Sequence, residues 1–268
     1  MTQEPYTGLA TTFDKAAELY ARARPGYPPG LFDDLAASAG LRGATARVLE
    51  VGAGTGQATR GLLDRGWSVV ALEPGRELAA AARRALAGRN GIDVVESTLE
   101  GWDAGGQAPF DLVLAATSWH WLDQQVAYRR ASELLRPHGH LAIVATQHVL
   151  PPDGDDFFRA VERAYAEVGM SDGQGGPQPP EAIRAPDVEA MVGSGFFAPP
   201  LVHRYVWSRA YTAEEYVALL STYSGHIAAS PRQRETLFSR IRELIDARPS
   251  ATIRKHHLNV LQVARRRD

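Results

Sequence analysis

Three clusters in this 268-residue chain combine residue types and spacings that could do chemistry. The first is Glu50-Val51-Gly52-Ala53-Gly54-Thr55-Gly56-Gln57. Glycine at every second position lets a backbone turn sharply and come close to a ligand, because no Cβ intervenes. A dinucleotide turn requires G-x-G-x-x-G; here the third glycine arrives one residue early, and Gln57 holds the place of the dinucleotide glycine. The P-loop pattern G-x-x-x-x-G-K-[ST] is absent. Glu50, a carboxylate two residues before the first glycine, is a poor neighbour for a pyrophosphate and suits a ligand that carries positive charge. The second cluster is Glu73-Pro74, about twenty residues beyond the turn, where a carboxylate at the end of a second strand accepts from a ribose diol. Each such charge-assisted bond contributes roughly 1.5–3 kcal/mol. The third is Thr117-Ser118-Trp119-His120-Trp121, an imidazole between two indoles and the nearest candidate proton acceptor.

The elements that must position these clusters read as an alternating α/β pattern. Val48, Leu49 and Val51 form a short apolar strand, and Ala58, Leu62 and Leu63 follow at helical spacing. Residues 67–72, 92–96, 110–116 and 140–146 read as the second to fifth strands, with helices over 76–86 and from Asp123 to Leu135. Pro137-His138-Gly139 reads as a turn between helix and fifth strand. Ahead of the first strand, a helix over residues 16–24 stops before Pro25, and a second runs from Leu31 to about Ala39. Beyond His148 the pattern changes. A helix to about Val168, the Gly/Pro-rich SDGQGGPQPP and a short helix from Asp187 fill residues 150–200. Residues 203–209 alternate like a strand, 212–223 and 232–247 are helical, and 252–263 form the last strand. His256 and His257 fall on opposite faces of that strand. In open α/β sheets, ligands bind outside the carboxyl ends of the strands, so all three clusters border one crevice.

E-x-G-x-G-x-G at the end of a first strand resembles motif I of the class I S-adenosylmethionine (SAM) dependent methyltransferases, and Glu50, Gly52, Gly54 and Gly56 match it position by position. The resemblance implies a Rossmann-like seven-stranded sheet of order 3-2-1-4-5-7-6, strand 7 antiparallel, with helical lid elements. It implies SAM as cofactor and S-adenosylhomocysteine as product. The segment F-D-x-x-A-x-x-Y-x-x-x-R-P-G-Y-P also resembles the N-terminal entry of small-molecule methyltransferases, which folds over the SAM pocket; Phe13, Tyr20, Arg24 and Tyr27 are its lid candidates. The S-W-H-W run is similar to the trans-aconitate methyltransferase branch. The chain departs from the family where an Asp often accepts from the adenine amino group, since Thr98 stands there; the backbone of Thr98 and Leu99 would bracket the adenine instead. The expected cofactor contacts are therefore Tyr20, Arg24, Glu50, Gly52, Gly54, Gly56, Gln57, Glu73, Pro74, Thr98, Leu99, Thr117 and Ser118. The expected substrate pocket is Tyr27, Trp119, His120, Trp121, Tyr216, Tyr223 and His226, with His120 as candidate base.

The expected organisation is a lid over residues 1–40, a SAM-binding core over 41–149, a cap over 150–200, and the rest of the sheet over 201–268 with a helical excursion at 211–248. Hydrophobic content of 44% with 22% charged residues fits a globular chain with a large core. The net charge of −2 supplies no basic surface for a nucleic-acid backbone, and no [DNS]-P-P-[YFW] motif follows the fourth strand. Zero cysteines exclude disulfides and thiolate metal sites, and neither the carboxylates nor the eight histidines have metal-binding spacing, so no metal is expected. With no apolar run of membrane length and no signal-peptide pattern, the expectation is a cytoplasmic enzyme, monomer or homodimer, that methylates a small molecule on oxygen. The alternatives are methylation of nitrogen or carbon, or SAM binding without catalysis.

Overall fold

The computed structural model describes residues 17–268 except 42, 44, 108 and 172–175; Phe13 lies outside the described residues. Helices α1 (Ala17–Ala23) and α2 (Pro29–Ser38) precede strand β1 (Arg47–Val51). Next come α3 (Gln57–Leu63), β2 (Ser68–Leu72), α4 (Arg76–Ala85), β3 (Ile92–Val95), β4 (Phe110–Ala116) and α5 (Gln124–Leu134), leading into β5 (Leu135–Val149), with no helix among the described residues between β3 and β4. Then come α6 (Phe157–Glu167), α7 (Val188–Gly193), β6 (Leu201–Thr212), the helices α8 (Ala213–Leu220), α9 (Ser224–Ala228) and α10 (Pro231–Asp246), and β7 (Thr252–Arg265).

The strands form one sheet of order β3-β2-β1-β4-β5-β7-β6, as expected. β1 to β5 run parallel, while β7 is antiparallel to both β5 and β6. The central strands are continuous apolar runs because both their faces are covered. Leu49, Val51, Val113, Ala115 and Ile143 pack on one side against α5 and Trp119. Val48, Leu112, Leu114, Val144, Leu261 and Val263 pack on the other against α2 and α3. A separate core joins α6 to α8 and α10 through Phe157, Phe158, Tyr216, Leu237 and Ile241.

Two local readings change. Residues 137–139 are not a turn out of the helix but part of β5, where the β4–β5 register shifts and His138 takes φ 63°. Residues 150–200 divide: α6 joins the helical core beside α8 and α10, whereas Met191 and Phe197 return to the core under β4 and β5. The helical excursion between β6 and β7 is present as α8 to α10. Capping boxes at Thr212–Glu215 and Ser230–Gln233 start α8 and α10, each satisfying helix-end N–H groups with a side chain.

Candidate active site

The glycine turn is held in a conformation that requires glycine. Gly52, Gly54 and Gly56 have φ of 68°, 59° and 86°, the left-handed region that L side chains rarely adopt. A Cβ on Gly52 would fall 2.6 Å from the Cβ of Ser118, so β4 can approach the turn only across a glycine. Ser118 is buried there and donates its hydroxyl to the Val51 carbonyl. The Glu73 carboxylate braces the same turn, accepting from Gly54 N at 2.8 Å and Gly75 N at 2.9 Å.

Glu50 sits beneath the turn, 1% exposed, and accepts from Thr59 Oγ1 at 2.6 Å. Burial pushes its carboxyl up to about 7 against the Thr59 bond, with Glu73 adding to the rise. Gln57, one residue past the third glycine, presents a buried Nε2 that has no hydrogen-bond partner. Glu50, Gln57, Gly52 and Gly54 line one cleft. A carboxylate below and an unsatisfied amide donor beside it suit a ligand that carries both a cation and a carboxylate, as the amino-acid end of SAM does.

The lid closes this cleft from above. Tyr20 of α1 lies 3.7 Å from where a Cβ on Gly54 would be. Arg24 donates to Thr222 Oγ1 and to the Thr222 carbonyl, each at 2.9 Å, and so ties the N-terminal segment to the α8–α9 junction. Its guanidinium lies 4.9 Å from the Tyr20 ring centre and 4.4 Å from that of Tyr223. Tyr20, Arg24, Tyr27 and Tyr223 all line the cleft.

The cleft floor is a hydrogen-bonded chain of five side chains from five segments. Trp207 Nε1 donates to Asn259 Oδ1 at 2.6 Å, and Asn259 Nδ2 donates to Thr146 Oγ1 at 2.7 Å. Thr146 and Thr117 hydroxyls are 2.9 Å apart, and Thr117 Oγ1 is 3.0 Å from Tyr27 OH. Strand register brings these residues together: Asn259 pairs directly with Thr146 across β5–β7 and with Tyr205 across β6–β7. The indole can only donate, which fixes the amide orientation and starts the chain in one direction. If each hydroxyl passes its proton on, the Tyr27 phenol is left with an O–H that points out of the chain. Burial raises the Tyr27 pKa far above its ordinary value, so the phenol stays protonated. Thr117 holds φ 61°, an unusual conformation for a β-branched residue that costs on the order of 1–3 kcal/mol and tends to occur at functional sites.

His257 completes the wall. It is 3% exposed and stacks on Trp207 with ring centres 4.6 Å apart, and its Nε2 lies 3.4 Å from Tyr211 OH. Burial, then the nearby Lys255, pushes the imidazole down to about 3, so it is neutral.

Several expected site residues lie elsewhere. Residues 119–121 form a 3-10 turn that buries Trp119 against Tyr128 and leaves His120 exposed beside Trp121. The charge acting on His120 is Asp187, whose partner Gln262 points to the face of β7 opposite Asn259. His120, Trp119 and Trp121 are therefore not among the residues lining the cleft, and the geometry gives His120 no role as its base. Tyr216 is buried in the helical core against Phe157 and Phe158, and His226 is buried with its Nε2 at 2.9 Å from Tyr165 OH. Leu99 is fully buried in the core, and the Thr98 hydroxyl accepts from Gly101 N at 3.1 Å. Thr98, Leu99 and Pro74 follow the ends of β3 and β2 and, like Glu73 itself, are not among the residues that line the cleft. Thr146, Trp207, His257 and Asn259 line the cleft and were not expected there. For His257 and Asn259 the signal is the alternation Lys255-x-His257-x-Asn259, a polar stripe on one face of the last strand.

Comparison with known proteins agrees with this geometry. A family model described as a methyltransferase domain matches residues 49–141, which run from β1 into β5. The chain is 28% identical over 247 residues to an uncharacterized methyltransferase of Mycobacterium tuberculosis, covering 90% of this chain and 88% of the relative. A protein from Anaeromyxobacter dehalogenans described as a proposed type II methyltransferase matches in fold with a TM-score of 0.62 at 20% identity, over 90% of this chain and 97% of that one. A SAM-dependent methyltransferase from Thiobacillus denitrificans, solved with S-adenosyl-L-homocysteine, matches with a TM-score of 0.50 at 15% identity, over 98% and 100% of the two chains. Its motif I turn and sheet order are those of the class I SAM-dependent methyltransferase fold, and over most of its length the chain is similar to methyltransferases.

Proposed function

We propose that the enzyme transfers the methyl group of SAM to an oxygen atom of a small molecule held over the Tyr27–Thr117–Thr146–Asn259–Trp207 chain. The cofactor supplies a methyl group already activated by a positive sulfonium, so the protein need only align the acceptor, exclude water and manage charge. Alignment of this kind contributes on the order of 7–11 kcal/mol in well-oriented cases. Glu50, Gln57 and the glycine turn hold the cofactor's amino-acid end and Glu73 its ribose. Tyr20, Arg24 and Tyr223 close the cleft over the reacting atoms.

The observation that carries the oxygen assignment is the direction of the chain. With each hydroxyl passing its proton on, it ends in a phenol O–H that can donate into the cleft. An oxygen nucleophile has two lone pairs: one can accept that hydrogen bond while the other attacks the methyl carbon. An amine has a single lone pair, and a donor would occupy it. The closed walls, built from lid and strand side chains, favour a small acceptor over a polymer. Both Tyr27→Phe and Asn259→Asp test this reading. An aspartate can only accept, so it reverses every bond from Thr146 to Tyr27 and turns the phenol's lone pair toward the cleft. With a small-molecule extract as acceptor source, both variants should form S-adenosylhomocysteine about tenfold more slowly, the loss expected for one hydrogen bond. Their affinity for S-adenosylhomocysteine should stay within about twofold. Unchanged turnover in both would overturn the assignment.

A further inference from the structure

Lys255 is a buried cation without an anion. It sits on β7 two residues before His257 and four before Asn259, on the same face, and is 2% exposed. Its ammonium makes no hydrogen bond or ion pair among the described residues. Instead it faces three aromatic rings, with centres at 5.6 Å for Phe158, 5.8 Å for Tyr216 and 5.9 Å for Tyr223. The charge that acts on it is another cation, Arg24, and together with burial this pushes the amine down to about 7. A charge left unpaired at such depth is costly, and the amine relieves that cost either by giving up its proton or by gaining an anion.

Its surroundings are short of acceptors in the same way. His148 pairs with His257 across β5–β7, and its buried Nε2 has no partner. The buried Nδ1 of His226 has none either. Burial, with the nearby Lys255 adding to it, lowers the pKa of His148, His226 and His257, so all three stay neutral. His148, Phe158 and Tyr216 line a second cavity of about 310 Å³, and Tyr223 belongs to the lining of the cleft. Lys255 thus faces rings that belong to the lining of both. Glu162 also lines the second cavity but forms no ion pair with Lys255.

We infer that Lys255, with His148 beside it, is a specificity determinant that receives a carboxylate of the acceptor, at a distance from the oxygen that is methylated. A singly charged carboxylate matches one ammonium flanked by neutral imidazoles, whereas a doubly charged phosphate would find one cation too few. The aromatic rings tolerate the cation while the site is empty and provide an apolar passage beside it when it is filled. This rests on reading the neighbouring cleft as the acceptor site.

Small carboxylates test the inference without knowledge of the acceptor, because they need not fit the rest of the pocket. The protein saturated with S-adenosylhomocysteine is titrated at constant ionic strength with formate, acetate and propionate, and with formamide, acetamide and propionamide. Binding is followed by thermal shift and calorimetry. At least one carboxylate should bind tenfold or more tightly than its amide. Lys255→Met should abolish that preference while S-adenosylhomocysteine affinity stays within twofold; Lys255→Gln is carried alongside in case the methionine variant does not fold. Equal binding of acids and amides by the native enzyme overturns the inference, and so does a carboxylate preference that survives removal of the amine. Failure of S-adenosylhomocysteine to bind the native enzyme would instead overturn the cofactor reading on which the function rests.

Discussion

Glu50→Gln should change how stability depends on pH, and the size of the change follows from burial. The carboxyl lies at about 7 in the folded chain against an ordinary value of 4.5. Between those two values the folded state binds a proton that the unfolded state does not. Stability therefore falls as pH rises through this window, and above about 7 the full penalty remains. The difference corresponds to about 3 kcal/mol, an order-of-magnitude figure for a fully buried group. Glutamine keeps the shape and can still accept from Thr59 Oγ1 through its amide oxygen, while removing the ionisation. The buried His148, His226 and His257 act in the opposite sense, because their pKa values are lowered and their contribution grows as pH rises toward the ordinary imidazole value. The informative quantity is thus the difference between the two proteins. Urea unfolding without cofactor, at pH 5 and at pH 8, should show the variant gaining about 2–3 kcal/mol relative to the native chain between those conditions. Parallel pH profiles would refute the argument and would mean that water reaches Glu50.

Two further substitutions probe the cradle. Gly52→Ala places a methyl group against Ser118 and forces an L residue to φ 68°; it should cost at least about 2 kcal/mol, read as a lowered Tm. Glu73→Ala removes the acceptor for Gly54 N and Gly75 N along with the expected ribose contact, and should weaken S-adenosylhomocysteine binding at least about tenfold by calorimetry. An unaltered dissociation constant would remove Glu73 from the cofactor site.

The sequence carried the sheet and the cofactor turn because both are written locally. Val48, Leu49 and Val51 announce a strand buried on both faces, and Gly52, Gly54 and Gly56 mark three left-handed positions. The acceptor side was not legible in the same way. Trp207, Thr146 and Asn259 meet only through the register of three strands, β7 antiparallel to the other two, and no spacing along the chain encodes that meeting. His120 drew attention as an imidazole between two tryptophans, but the 3-10 turn at residues 119–121 decides where it points. Tyr216 and His226, expected at the acceptor, lie in the aromatic core of α6, α8 and α10, where Phe157, Phe158 and Phe238 surround them. Lys255-x-His257-x-Asn259 was visible as a polar stripe, although its meaning required the face it shares with Thr146.

The central claim is methyl transfer to an oxygen of a small molecule, and the fate of the methyl group tests it most directly. The enzyme is incubated with SAM labelled in its methyl group and a filtered cell extract, and the label is separated into small molecules and polymers. The account predicts label in the small-molecule fraction, carried as a methyl ester or ether, in amounts that fall about tenfold with Tyr27→Phe. Label on protein, nucleic acid or the nitrogen of a metabolite, or no transfer by an enzyme that binds SAM, would contradict it.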